Sequence, residues 1–165
     1  MESPPAKTDS EQSQLALDQD QFLTFTLAGE EYGIEILRVQ EIKGFSKVRS
    51  IPCSPSFVRG VLNLRGTVVP IVDLRCRLGM EEVEYNSFTV IIVVSIGTKI
   101  VGLVVDTVSD VINIPDDQIE DVPQLDEIDS SFLNGMGKLD DKFVLLLNID
   151  KLINFETLQE ITSAA

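Results

Sequence analysis

The sequence predicts a mainly β protein built from two small five-stranded barrels that share an apolar seam. Three observations carry this reading. Short runs rich in Val, Ile, Leu and Phe alternate with turn residues, and long helical patterns are nearly absent. The chain repeats itself: YGIEILRVQEI (32–42) aligns without gaps on VGLVVDTVSDV (101–111), so that Gly33 meets Gly102, Val39 meets Val108, and Glu41 and Ile42 meet Asp110 and Val111. Downstream, LNLRG (62–66) aligns on LNGMG (133–137). A barrel of about seventy residues buries little by itself, so the two halves are expected to press an apolar face against each other.

Residues 1–19 are polar, contain Pro and Ser, and lack an apolar pattern, which predicts a disordered tail before a folded domain at 20–165. FLTFTL (22–27) and YGIEI (32–36), joined by AGEE, form a hairpin, and LRVQEIKG (37–44) reads as a short helix or turn stopped at Gly44. VRSIPCSPSFVRG (48–60) is an extended arm with one helical turn near Ser54 or Pro55. GVLNLRGTVVPIVDL (60–74) is two strands about a turn at Arg65–Gly66. Pro70 inside the second predicts an edge strand or a bulge. Asp73 is placed to cap a short helix, LRCRLG, ending at Gly79.

The second half replays the first. TVIIVVSI (89–96) and KIVGLVVDTV (99–108) make a hairpin about Gly97–Thr98, and DVINIPDDQIEDVPQL (110–125) is a strand followed by an acidic loop. FLNGMG (132–137) and KFVLLLNI (142–149) pair about Asp140–Asp141. Asp150 is then placed to cap a C-terminal helix over 151–161.

Composition removes most chemistry. The chain has no histidine, which excludes Ser–His–Asp and Cys–His nucleophile systems and the commonest metal ligand. Cys53 and Cys76 form no Cys-x-x-Cys pair, so neither a zinc site nor any other cofactor is expected. Asp73, Asp106 and Asp150 are conceivable acids or bases, but they stand at strand ends where caps and turns account for them. The apolar runs are too short to span a bilayer, so a cytoplasmic protein without direct membrane insertion is expected. A net charge of −14 argues against nucleic acid as a partner. Residues 38–77 nonetheless hold eight basic side chains against two acids, a net of +6, leaving −20 elsewhere. Either these charges cluster on one face and steer an acidic partner, or they are scattered and solvated.

The motifs FLTFTLAGEEYGIEILRVQEI, GVLNLRGTVVPIVDLRCRLG, KIVGLVVDTVSDV, FLNGMG and LLLNIDKL resemble the CheW family of bacterial chemotaxis, from about Gln21 to Ile161. The resemblance implies two SH3-like barrels with intertwined connections and a non-enzymatic adaptor. Its implied partners are the cytoplasmic tip of methyl-accepting chemotaxis receptors and the regulatory domain of the CheA histidine kinase, in arrays where kinase and adaptor domains alternate. A coupling protein of a parallel pathway, such as pili-mediated motility, is the alternative.

The resemblance also implies site residues. Glu41 and Arg65 bear on receptor binding and kinase control, and are expected to pair across the first barrel. Val39, Ile42, Val68, Val90, Ile91 and Val108 are expected to line the seam where the receptor's helical hairpin docks, because a helix laid in a groove needs apolar walls. Each of these six could equally be plain core. Gly60, Gly102 and Gly137 either meet backbone needs or keep a kinase surface unobstructed. The kinase contact extends to Glu120 and Leu125 in the acidic stretch. Relatives are expected to carry a basic residue in this stretch, where this chain has Glu120 and Asp121.

Overall fold

The computed structural model describes residues 21–46, 48–49, 57–81, 84–121, 132–139 and 142–153. The expected tail, Cys53, the helical turn near Ser54, Leu125 and the end of the C-terminal helix lie outside the described residues.

Among the described residues, eleven strands form two sheets. The strands are β1 (Gln21–Leu27), β2 (Glu30–Glu35), β3 (Val39–Gly44), β4 (Val58–Leu64), β5 (Thr67–Asp73), β6 (Val90–Ile96), β7 (Lys99–Val105), β8 (Thr107–Asn113), β9 (Ile119–Glu120), β10 (Leu133–Leu139) and β11 (Lys142–Leu147). Two single-turn helices, α1 (Leu74–Arg77) and α2 (Ile149–Leu152), follow β5 and β11. The first sheet runs β8-β1-β2-β11-β10-β9 and the second β3-β6-β7-β5-β4.

Laid side by side, the two orders reveal the internal repeat. β8, β1, β2, β11 and β10 answer to β3, β6, β7, β5 and β4 in turn. The third strand of each half leaves its own hairpin and joins the other sheet: β3 pairs with β6, and β8 pairs with β1. Each half therefore completes the other, which is what the expected intertwined connections amount to.

Local chemistry explains the hairpins. Ala28 and Gly29 both have positive φ (53° and 82°), as do Arg65 and Gly66 (51° and 87°). These are two-residue turns of the mirror-image type, whose twist matches that of the flanking strands. The Asn63 side chain accepts from the Gly66 N–H at 2.9 Å and braces the second turn.

Strand alternation then sorts apolar side chains onto two faces. In the second sheet, Ile92, Val94, Val101, Leu103, Val105 and Val72 turn one way and join Leu23, Phe25, Leu27, Tyr32 and Ile34 of the first sheet in one large shared core. Val69, Ile71, Ile91, Val93 and Val104 turn the other way into a core private to that sheet. Phe22, Ile114, Val144 and Leu146 form the matching private core of the first sheet. The predicted apolar seam is thus the largest buried cluster described.

Several expectations need correction. LRVQEIKG is one 3-10 turn (Ile36–Arg38) followed by strand β3, because β6 offers this segment a ladder that its own propensity does not reveal. β5 is interior rather than an edge, but the alternative expectation of a bulge holds: the β4–β5 register shifts between Val58 and Gly60, opposite Val72 and Ile71, and Pro70 has a neighbouring strand on one side alone because β5 pairs with β7 only from Ile71 onward. The match of LNLRG to LNGMG is out of register. Both β4–β5 and β10–β11 carry a bulge, between Val58 and Gly60 and between Leu133 and Gly135, so Leu133 answers to Val58 and Gly135 to Gly60. The cap of α2 is Asn148, whose side chain accepts from the Lys151 N–H, while Asp150 lies inside the first turn.

Glycine 102 is a packing requirement. A Cβ there would lie 2.6 Å from Ile71 Cδ1 and 2.9 Å from Ile91 Cγ2. Gly102→Ala is expected to cost about 1–3 kcal/mol in urea unfolding, whereas Gly44→Ala, with open space around it, should stay within about 0.5 kcal/mol of the parent.

Candidate functional site

Directly opposed residues of paired strands point to the same sheet face. On β3, Val39 stands opposite Val94 and Ile42 opposite Ile92. On β8, Val108 stands opposite Phe25 and Val111 opposite Leu23. All four partners belong to the shared core. The exchanged outer strands therefore present their apolar side chains on the faces turned toward the seam. Val39, Val90 and Val108 pack partly buried against the shared core, while Ile42 and Val111 continue that face into solvent at 46% and 42% exposure. Two matched apolar ledges, one from each sheet, flank the seam.

Of the residues singled out from the sequence, Val39, Ile42, Val90 and Val108 are brought to this face. Val68 is exposed near the β4–β5 turn, on the side of β5 away from the private core. Ile91 does not belong to the seam. It is fully buried in the private core of the second sheet, because it lies one position out of phase with Val90 and Ile92. Val111 was missed, although the internal alignment had matched it to Ile42.

Glu41 and Arg65 meet, with Arg65 Nη1 donating to Glu41 Oε2 at 3.2 Å. The pair joins β3 to the β4–β5 turn, so it ties the two outermost strands of the second sheet. Arg65 is 78% exposed, which limits the pair's worth to about 0–1 kcal/mol of stability. Its left-handed backbone is a strained conformation for a residue other than glycine, of the kind that accumulates at functional sites.

Gly60, Gly102 and Gly137 are all buried. A Cβ at Gly137 would lie 2.7 Å from Ile114 Cδ1. The space is filled from within the molecule, so a side chain at Gly102 or Gly137 would press on core isoleucines rather than on a partner. Glu120 is exposed on β9 at the far edge of the first sheet.

The basic segment 38–77 is not a free basic face. Arg38 pairs with Asp150, Arg59 with Asp73, Arg65 with Glu41 and Arg75 with Asp106. Arg77 lies over the rings of Phe57 and Phe132, at 5.0 and 4.8 Å, and donates to the Leu152 carbonyl at 2.7 Å. Five of the eight basic side chains are thus engaged inside the molecule, which corrects the steering interpretation.

The three candidate catalytic aspartates have structural partners. Asp73 is buried and caps α1 by accepting from the Arg75 and Cys76 N–H groups, and the Tyr85 hydroxyl donates to it at 2.6 Å. Burial first, and then that hydrogen bond, push the Tyr85 phenol above its ordinary range. Asp150 accepts from Arg38. Asp106 receives both ends of the Arg75 guanidinium and the Ala28 N–H at 3.0 Å. Among the described residues, no group of three or more His, Cys, Asp or Glu is arranged to hold a metal, and no helix is long and apolar enough to cross a membrane.

Burial alone would raise the Asp106 carboxyl, but the Arg75 hydrogen bond, the Ala28 N–H and the Arg75 charge outweigh it and hold the group below the ordinary carboxylate range. The ionised form is favoured in the fold, so its contribution is complete above the ordinary carboxylate range and is lost as pH falls through the depressed value. Asp106→Asn should therefore destabilise the protein most near neutral pH. The gap to the parent in denaturant midpoint should close as pH falls below about 4; a gap independent of pH would show that the charge contributes nothing.

The comparisons with known proteins agree with this geometry. A family profile described as the CheW-like domain matches residues 21–157. The chain is similar to the chemotaxis protein CheW of Klebsiella aerogenes, with 42% identity over 146 residues covering 88% of each chain. It is also similar to the probable chemotaxis protein CheW of Rhizobium etli, with 34% identity over 81% of this chain and 87% of that one. Among solved structures it resembles the scaffolding protein TtCheW of Thermoanaerobacter tengcongensis, with a TM-score of 0.77 and 34% identity over 84% of this chain and 90% of the other. The chain belongs to the CheW family, the coupling adaptors of chemotaxis signalling.

Proposed function

We propose that this protein is a non-catalytic adaptor that holds the cytoplasmic tip of methyl-accepting chemotaxis receptors and, on a separate surface, the regulatory domain of the CheA histidine kinase. Through that bridge it is recruited to membrane-associated receptor arrays. The observation that carries the proposal is the pair of half-exposed apolar side chains, Ile42 and Val111, on the seam-facing sides of the two outer strands. An amphipathic helical hairpin is the shape that two facing apolar ledges accept. Val39, Val90 and Val108 form the floor beneath them, and Glu41 with Arg65 forms a charged rim on the second sheet. The kinase domain docks away from the seam, with Glu120, on the edge of the first sheet, contributing together with the acidic stretch toward Leu125.

A pull-down with a receptor cytoplasmic hairpin and a CheA regulatory domain, separately and together, tests the bridge. Simultaneous capture of both is expected; mutually exclusive capture would break the bridging reading. Ile42→Asp with Val111→Asp should weaken hairpin binding by at least about tenfold, since a carboxylate desolvated against an apolar helix is costly, and should leave kinase-domain binding intact. Glu41→Arg with Arg65→Glu should restore kinase control where each single reversal loses it; additive losses would show that the pair does not act as a unit.

A further inference from the structure

Each exchanged strand begins one residue after a charged side chain. Arg38 precedes Val39, the start of β3, and Asp106 precedes Thr107, the start of β8. Arg38 pairs with Asp150 in α2 and donates to the Ser95 carbonyl at 3.1 Å. Asp106 pairs with Arg75 in α1, accepts from the Ala28 N–H, and donates through its own N–H to the Thr26 carbonyl at 3.1 Å. The helix and hairpin ends of the two clamps correspond through the internal repeat, although in that alignment Asp106 falls on Leu37 and Arg38 on Thr107. α2 follows β11 as α1 follows β5, and Ser95 near the end of β6 corresponds to Thr26 near the end of β1.

In each clamp the crossover residue grips two things at once. One is the helix of the sheet the chain is leaving, and the other is the hairpin end of the sheet it is entering. The polarity is reversed: a cation sits at the first crossover and an anion at the second. The contacts therefore resist relative rotation of the two sheets at the roots of the strands that carry Val39, Ile42, Val108 and Val111. A cleft of about 230 Å³ opens beside Arg38 and Asp150, and one of about 260 Å³ beside Arg75 and Asp106, so solvent reaches both pairs from one side. Arg75–Asp106 is the better shielded of the two, since Asp150 is largely exposed.

We infer that Arg38, Asp150, Arg75 and Asp106 are positioning residues that fix the separation of the two apolar ledges, and so set the affinity for a helical hairpin without touching it. This rests on the receptor-coupling proposal for its ligand, but not for its geometry.

The test uses the full chain with Cys53 and Cys76 replaced by Ser and spin labels placed at the exposed Gln40 and Ser109, beside the two ledges. The parent should give one narrow label-to-label distance. Asp106→Asn keeps an oxygen for the Ala28 N–H and removes the charge and one of the two acceptors facing Arg75. It should broaden or shift the distance, Asp150→Asn should do so less, and the double variant most. Lys142→Gln, which removes an ion pair with Glu31 elsewhere on the first sheet, should change nothing. In the folded double variant, hairpin affinity should fall by about fivefold or more while kinase-domain affinity stays within about twofold.

An unchanged distance in the double variant overturns the inference. So does a parallel fall of both affinities, which would mean general loss of fold. If the double variant does not fold, Asp106→Asn alone is read against Lys142→Gln by the same two criteria. Failure of the parent to bind the hairpin would refute the receptor-coupling proposal and leave the distance result to decide the positioning role.

Discussion

The apolar layer between the two sheets is what the rest of the molecule depends on. It takes Leu23, Phe25, Leu27, Tyr32 and Ile34 from one sheet and Ile92, Val94, Val101, Leu103 and Val105 from the other, all essentially inaccessible to water. Removing one Leu-sized side chain from such a layer costs about 2–5 kcal/mol, a large part of the stability of a small domain. Among the described residues the private cores are smaller: five buried residues in the second sheet and four in the first. Strand exchange makes separation of the two sheets harder, because each is built from strands of both halves of the chain.

That arrangement has a consequence for binding. A seam between two sheets is continuous with the surface along its margin, and the strands at that margin are the exchanged ones. Their apolar side chains are graded from half-buried at Val39 and Val108 to half-exposed at Ile42 and Val111. The same alternation that builds the core thus extends outward as the apolar surface proposed to receive the receptor hairpin. Rigidity there comes from main-chain pairing to β6 and β1, from the buried Thr24 hydroxyl, which donates to the Asp110 carbonyl at 3.0 Å where the β1–β8 register shifts, and from the clamps at the crossovers. For the proposed partner helix, such a preorganised face lowers the ordering cost of association.

Much of this was legible in the sequence, for identifiable reasons. Hairpins announce themselves through turn residues, and Ala28–Gly29 and Arg65–Gly66 sit where the turns are. The repeat over 32–42 and 101–111 marks equivalent strands correctly, yet LRVQEIKG by itself reads as a short helix or turn while its repeat partner reads as strand. Consistency between the copies would have placed β3. The displaced match of LNLRG to LNGMG arose because shared Leu and Asn letters outweighed the bulge glycines, which only pairing reveals. Ile91 could not be told from Val90 without knowing which face of β6 met which core. The fate of the arginines was hidden for a different reason: Arg38 and Asp150 are 112 positions apart, and no local pattern connects them.

The central claim is that the shared layer makes the two sheets a single cooperative unit. Native-state hydrogen exchange on the Val144→Ala variant tests it most directly, since Val144 lies in the private core of the first sheet and takes no part in the shared layer. If the sheets unfold as one, the slowest amides of β6 and β7 in the second sheet should lose as much protection as those of β1 and β2 in the first. Loss of protection confined to the first sheet, with β6 and β7 unchanged, would contradict the account.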